Sequence, residues 1–236
     1  MKRVLVTRPM PSSVLLAEAL RKMGWEPFVE PLLSIHPTKE PAPDFAPDAV
    51  MLTSQSALAV FDGKRNGIES FSDITCYCVG ENTAQTAAEY GFSRLIAGDG
   101  NGADLARLLS RKQDSGAKIL HLCEERCDSQ AARLLKDWGF DLCSWPTYRV
   151  ETAEAFSFAL KESLTQKKLD SALFYSPRTA SVFADLAYGM GLDLKWLRAI
   201  AISQATAERL SALSLKEVIV AQKPSSDGML HCLEEA

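Results

Sequence analysis

The sequence lacks the features that mark membrane, nucleic-acid and nucleotide-cofactor proteins. Across its 236 residues no apolar run approaches the roughly 20 needed to span a bilayer as a helix, so no membrane partner is expected. The opening MKRVLVTRP has neither the long apolar stretch nor the small-residue cleavage site of a secretory signal, and a cytoplasmic location is expected. Acidic residues outnumber basic ones by 30 to 26, for a net charge of −4, and no polybasic block occurs; this argues against duplex nucleic acid as a partner. No Gly-x-Gly-x-x-Gly follows the first strand-like segment and no Gly-Lys-Ser/Thr loop is present, which disfavours a nucleotide cofactor. The three histidines, His36, His121 and His231, have no catalytic or metal motif around them. Of the six cysteines, Cys76, Cys78, Cys143 and Cys232 sit in apolar segments and read as small hydrophobes rather than a disulfide framework. Cys123 and Cys127 are four apart, a spacing that would put both thiols on one helical face. A metal site of that kind needs a second ligand pair, and His121 alone is a poor supplement, so no metal is expected.

What the sequence does have is a copy of itself. PDAVMLTSQSALAVF, from Pro47, is echoed by LDSALFYSPRTASVF, from Leu169, with Ser54 and Ser176 122 residues apart. CYCVGENTAQTAAEYGF, from Cys76, resembles AIAISQATAERLSAL, from Ala199, at an offset of 123 that aligns Thr83 with Thr206. The opening of each copy also matches, Gly24 with Gly139 and Pro31 with Pro146, at an offset of 115. Two copies of one design are expected, roughly 1–116 and 117–236.

Within each copy, short apolar runs alternate with segments of helical spacing. RVLVT (3–7) and KILHL (118–122) are predicted strands; Val14, Leu15, Ala19, Leu20 and Met23 follow a helical period that ends at Gly24. Glycine there supplies the left-handed cap of a helix. Further strands are predicted at Glu26–Val29, Ala49–Leu52, Thr75–Val79, Ala172–Tyr175, Ala199–Ile202 and Val218–Ala221. This is an α/β chain with a parallel sheet in each of two similar lobes. PTKEPAPD (37–44), rich in proline and charge, is a predicted linker, and GDGNG (98–102), which lacks lysine, is a predicted turn.

An α/β fold presents its ligand site at the carboxyl ends of its strands. There the chain places small hydroxyl residues and a few others: Thr7 with Arg8, Thr53 with Ser54 and Ser56, Glu81 to Thr83, Ser176 to Thr179, and Ser203 to Thr206. Any one of these reads as a helix N-cap. Taken together, several helix N-termini facing one cleft form a receptor for carboxylates or phosphates that needs no basic surface. Tyr148, in WPTYRV, stands at a strand-to-linker crossing, where it fits a packing role as well as a chemical one.

Thr7-Arg8-Pro9, TSQSA (53–57), VGENTA (79–84), the stretch from Gly139 to Arg149, YSPRTA (175–180) and SQATAERL (203–210) together resemble, in order and spacing, the uroporphyrinogen-III synthase family over nearly the whole chain. The resemblance implies two parallel-sheet α/β lobes joined by a two-stranded hinge, with the ligand cleft between them. The terminal lobe would hold 1–36 with 152–236, the central lobe 41–147, and the hinge 37–40 with 148–151. It implies a cyclising lyase, acting as a monomer without cofactor on hydroxymethylbilane, a linear tetrapyrrole with carboxylates on every ring. Loss of its hydroxyl gives an azafulvene, ring D attacks to form a spiro intermediate, and cleavage with recombination gives uroporphyrinogen III. Carried over residue by residue, the resemblance assigns Tyr148 as general acid, and Thr53, Ser54, Thr83, Ser176 and Thr206 to substrate binding with Arg8 and Arg178 as charge partners. The chain departs from the family pattern at Ser203, where glycine is common, at Val150, where threonine is usual, and at CEERCD (123–128), which replaces a glycine-rich turn. A non-catalytic two-lobed binder of a small polyanion would explain the duplication equally well; it would bind without turnover.

Overall fold

The computed structural model describes residues 2–61, 67–98 and 100–234. In chain order its elements are β1 (Arg3–Val6), α1 (Ser12–Lys22), β2 (Glu26–Val29), β3 (Leu33–Pro37), β4 (Ala49–Leu52), α2 (Ser56–Ala59), a 3-10 turn at Ile68–Phe71, β5 (Cys76–Cys78), α3 (Glu81–Glu89), β6 (Leu95–Ala97), α4 (Gly102–Lys112), β7 (Lys118–Glu124), α5 (Gln130–Asp137), β8 (Asp141–Thr152), α6 (Phe158–Thr165), β9 (Ser171–Phe174), α7 (Pro177–Gly189), β10 (Arg198–Ala201), α8 (Gln204–Glu208), β11 (Glu217–Val220) and α9 (Ser226–Glu234). The chain folds into two units, residues 1–34 with 151–236, and residues 35–150; β3 and β8 both run across the boundary.

The first unit carries a five-stranded sheet in the order β11-β10-β9-β1-β2, paired in parallel throughout. Its central strands are buried on both faces: all of β9, and Val4, Leu5 and Val6 of β1, are shielded from solvent, because helices cover the sheet from each side. One face packs Phe174, Phe183 and Phe156, with ring centroids 5.1 and 5.3 Å from that of Phe183, against Leu160 and Leu210. The other packs Val4, Val6 and Ile200 against Leu16, Leu20 and Met229.

The second unit carries a six-stranded sheet ordered β3-β8-β7-β4-β5-β6, with parallel pairing from β8 through β6. Alternation along β7 sends Leu120 and Leu122 to one face, against Trp145, Phe61 and Phe71, and Ile119 to the other, against Leu105, Leu109 and Leu135. Trp145 also donates its indole N–H to Glu40 O at 3.2 Å, so the proline-rich 37–44 stretch is irregular as expected but pinned to the core.

Gly24 and Gly139, matched in the repeat, end α1 and α5 at φ of 82° and 83°, the left-handed conformation that a side chain would strain. The 98–102 stretch leads into a capping box, in which Asn101 accepts from the amides of Ala103 and Asp104; Asp99, part of the predicted turn, lies outside the described residues.

Candidate functional site

In each sheet the chain leaves one central strand in both directions, and at such a switch point two strand ends diverge and open a crevice for a ligand. The switch lies between β1 and β9 in the first unit and between β4 and β7 in the second. Most of the residues singled out from sequence stand at these two places.

In the first unit, Thr7 follows β1 fully buried and donates its hydroxyl to Leu173 O of β9 at 2.7 Å, tying the strand ends together. Next to it the Arg8 guanidinium lies 4.4 Å from the centre of the Tyr175 ring and within 3.5 Å of Ser226 Oγ, at the start of α9. Among the described residues no carboxylate forms an ion pair with Arg8. Burial pulls its pKa below the ordinary value, an effect that Tyr175 opposes, and a guanidinium keeps its charge even so. The guanidinium is thus half-buried and stacked on a phenol, a placement that leaves its positive charge uncompensated by an acidic side chain. Ser176 caps α7 by accepting from Thr179 N at 3.1 Å, with the two hydroxyls 2.8 Å apart. Ser203 does the same for α8, accepting from Thr206 N at 3.3 Å, with hydroxyls 3.0 Å apart. The helix-cap reading therefore holds for the two serines, whereas Thr206 is a buried third helical residue. Arg178 is exposed on the first turn of α7. Serine is accommodated at 203 because φ there is −155°, extended backbone that has no need of glycine.

In the second unit, Thr53 follows β4 with its hydroxyl 3.3 Å from His121 Nε2 on β7, again bridging the switch point. Ser54 Oγ accepts from Ser56 N at 3.1 Å and is hydrogen-bonded to the Tyr148 hydroxyl. Tyr148 reaches that position through a β-bulge. Cys123 pairs with Pro146 but Glu124 pairs with Tyr148, so Thr147 is the extra residue on β8. Thr147 donates to Ala57 O at 2.9 Å, and Tyr148 packs in the same cluster as Ala57, so both adjacent side chains serve one face. Tyr148 is 8% exposed, and burial, opposed by the Ser54 hydrogen bond, pushes its pKa up to about 12. It is a phenol that keeps its proton at neutral pH. Thr83 is buried in the first turn of α3; its N-cap, Gly80, offers no side-chain cap, and the Gly80 carbonyl oxygen accepts from the Thr83 and Ala84 amides at 3.0 and 3.1 Å.

Three side chains beyond those assigned from sequence belong to the second switch point. His121, fully buried, has a pKa lowered to about 4 by burial, and its Nδ1 has no hydrogen-bond partner. An orphaned buried ring nitrogen costs about 1–3 kcal/mol. Cys123 and Cys127 do not share a helical face as their spacing suggested. Cys123 lies near the end of β7, two residues after His121 and on the same face, and Cys127 is exposed in the loop that follows. One ligand atom from each of the three lies within 4.8 Å of the others. Hydrogen bonding to Cys123 draws the Cys127 thiol down to about 7, while that bond and burial push Cys123 up. In the first unit, Tyr175 and Ser226 were also missed; an aromatic directly before Ser176-Pro177 at a strand end was the available signal. A concavity of about 320 Å3 lined by Lys2, Trp25, Trp196, Arg198 and Lys216 lies at the amino ends of the first sheet's strands, away from these residues, and is not part of the site.

A model of the family described as uroporphyrinogen-III synthase HemD matches residues 15–231. A porphyrin biosynthesis protein HemD of Ruminiclostridium josui is 26% identical over 246 aligned positions, which take in 99% of this chain and 48% of that one; the chain thus spans about half the length of this curated relative. Among solved structures, uroporphyrinogen-III synthetase from Helicobacter pylori superposes with a TM-score of 0.67 at 18% identity, covering 100% of this chain and 99% of that one. A mutant uroporphyrinogen III synthase from Thermus thermophilus gives 0.58 at 16% identity, with 100% and 98% covered. These structures share the two-lobed α/β fold, and with the family match extending from α1 into α9, the chain belongs to the uroporphyrinogen-III synthase HemD family.

Proposed function

We propose that the chain converts hydroxymethylbilane into uroporphyrinogen III. The observation that carries this reading beyond family membership is Tyr148, a buried phenol re-aimed by a bulge at a strand end and holding its proton up to about pH 12. Net, the reaction removes water without a change of oxidation level, so its first demand is a proton for the departing hydroxyl. Tyr148 supplies that proton, and Ser54, bonded to its oxygen, orients it. The azafulvene that results is a cation-like electrophile. Ring D then attacks through its substituted carbon, the spiro intermediate opens, and the ring closes with the last pyrrole inverted.

The second demand is geometric. A flexible tetrapyrrole must be held so that the productive carbon, rather than the free one, lies nearest the electrophile. Its carboxylates are the natural handles. Arg8 supplies charge in the first unit, with Ser176, Arg178 and Thr206 near the helix starts there; the α3 amides, Thr83, Thr53 and Ser54 supply hydrogen bonds in the second. We take the protein to act as a cytoplasmic monomer on this small molecule. No helix among the described residues is long and apolar enough to cross a membrane.

The test is to supply freshly generated hydroxymethylbilane and resolve the oxidised products by isomer. Spontaneous closure gives the uninverted type I compound, so a dominant type III product is the expected result. Type I alone, from folded protein and intact substrate, would replace this reading with that of a polyanion-binding protein.

A further inference from the structure

We propose that His121, Cys123 and Cys127 form a binding site for a thiophilic divalent cation of the zinc class, at the switch point between β4 and β7. This site goes beyond the synthase reading and does not depend on it.

Strand geometry begins the argument. Residues two apart on β7 project from the same face, which stacks His121 beside Cys123 at the carboxyl end of a central strand. The turn after β7 brings Cys127 back, and the three ligand atoms fall within 4.8 Å of one another. Tetrahedral zinc has bonds of about 2.0–2.3 Å, which set its ligand atoms about 3.3–3.8 Å apart. Closing from the observed spacing therefore shortens the separations by at most about 1.0–1.5 Å, and Cys127, exposed in the loop after β7, is the ligand with most room to move.

The second observation is independent of the cluster's spacing. His121 is fully buried with Nδ1 unpartnered, and its Nε2 is 3.3 Å from the Thr53 hydroxyl. A polar atom left this way in a core marks a place for a water, an ion or a ligand. Burial also holds the imidazole neutral, the form with a lone pair to give. The donor set selects the metal: two sulfurs and one imidazole suit zinc, whereas magnesium and calcium require oxygen ligands. Three protein ligands leave a fourth position for water, the arrangement of an exchangeable site rather than a closed structural one. An occupying cation would stand beside Thr53, and close enough to Tyr148 for charge at Cys123 and Cys127 to be felt by the phenol.

The experiment is a titration of reduced, metal-free protein with Co2+, followed by displacement with Zn2+. One equivalent of Co2+ is expected to bind per chain, with thiolate-to-cobalt charge-transfer absorption and intense visible bands of four-coordinate cobalt, and one equivalent of Zn2+ is expected to abolish both. Cys127→Ser, at an exposed turn position, should weaken binding at least about tenfold and reduce the charge-transfer intensity, since even outer-shell changes cost that much. Cys143→Ser, outside the cluster, should bind as the parent does. Absence of charge-transfer absorption, or a Cys127→Ser protein with the parent's affinity and spectrum, would overturn the proposal. Both readouts are spectroscopic, so a failed synthase assay leaves them intact.

Discussion

The two units share a parallel α/β scaffold, one of five strands and one of six, and part company most plainly at the crevice where their central strands diverge. In both, a threonine just past the first central strand reaches the other one: Thr7 to Leu173 O, and Thr53 to His121. Beyond that the contents diverge. The first unit has a guanidinium on a phenol, and its α7 and α8 starts are closed by their own serines. The second has a proton-holding phenol, a neutral histidine with two thiols, and an α3 start with glycine at its N-cap. The strand ties are thus alike while the side chains at the switch points differ, and on the function proposed above the first set holds negative charge while the second also gives a proton.

The comparison can be broken first in the cores. Phe183→Ala and Trp145→Ala each remove the aromatic hub of one unit and should each cost about 3–5 kcal/mol in urea unfolding. Trp145→Ala should lie at the upper end because it also removes the indole hydrogen bond to Glu40 O. Equal small losses would show that neither ring is a hub. Next in size is an acid effect confined to the second unit. His121 has a folded pKa of about 4, below the 6.5 of the unfolded chain, so the unfolded state binds the proton first and stability falls as pH drops from about 6.5 through 4. The loss should approach about 3 kcal/mol, and His121→Leu should flatten that limb. An unchanged acid limb in the variant would remove His121 as its source.

Smaller effects sharpen the contrast between helix starts. Ser203→Ala should cost about 1 kcal/mol, the worth of a serine cap. Gly80→Ser runs the other way. A Cβ there meets nothing nearer than Gly98 O at 3.9 Å, and φ is −174°, so the new hydroxyl can cap α3 and add a few tenths of a kcal/mol. If the α3 amides bind a substrate carboxylate, that gain comes with a raised KM; stability and KM that both stay put would mean α3 is not a binding element.

Much of this was legible in sequence where the signal is local. Alternating strands and helices, and the glycine ends of α1 and α5, follow from periodicity and from the left-handed backbone only glycine adopts freely. Sheet order was not legible, because pairing β1 with β9 joins residues more than 160 positions apart and leaves no trace in either segment. For the same reason the bulge that aims Tyr148 was invisible: it exists only in the register between β7 and β8. Thr83 and Thr206 stood out as hydroxyls, but their place inside the first helical turn, rather than at the cap, depends on the extended φ of Gly80 and Ser203. In sequence, His121, Cys123 and Cys127 have no second ligand pair, and their proximity arises from a strand and the loop after it rather than from the helical face that a spacing of four suggests.

The division of labour between the units is the central claim, and a pair of variants tests it most directly: kcat and KM of Tyr148→Phe and of Arg8→Gln with hydroxymethylbilane. The account expects Tyr148→Phe to lose about 100-fold in kcat with KM little changed, the worth of a general acid. Arg8→Gln should raise KM about tenfold and leave kcat near the parent's, as removal of a binding charge does. A Tyr148→Phe protein that turns over at the parent's rate would contradict the account.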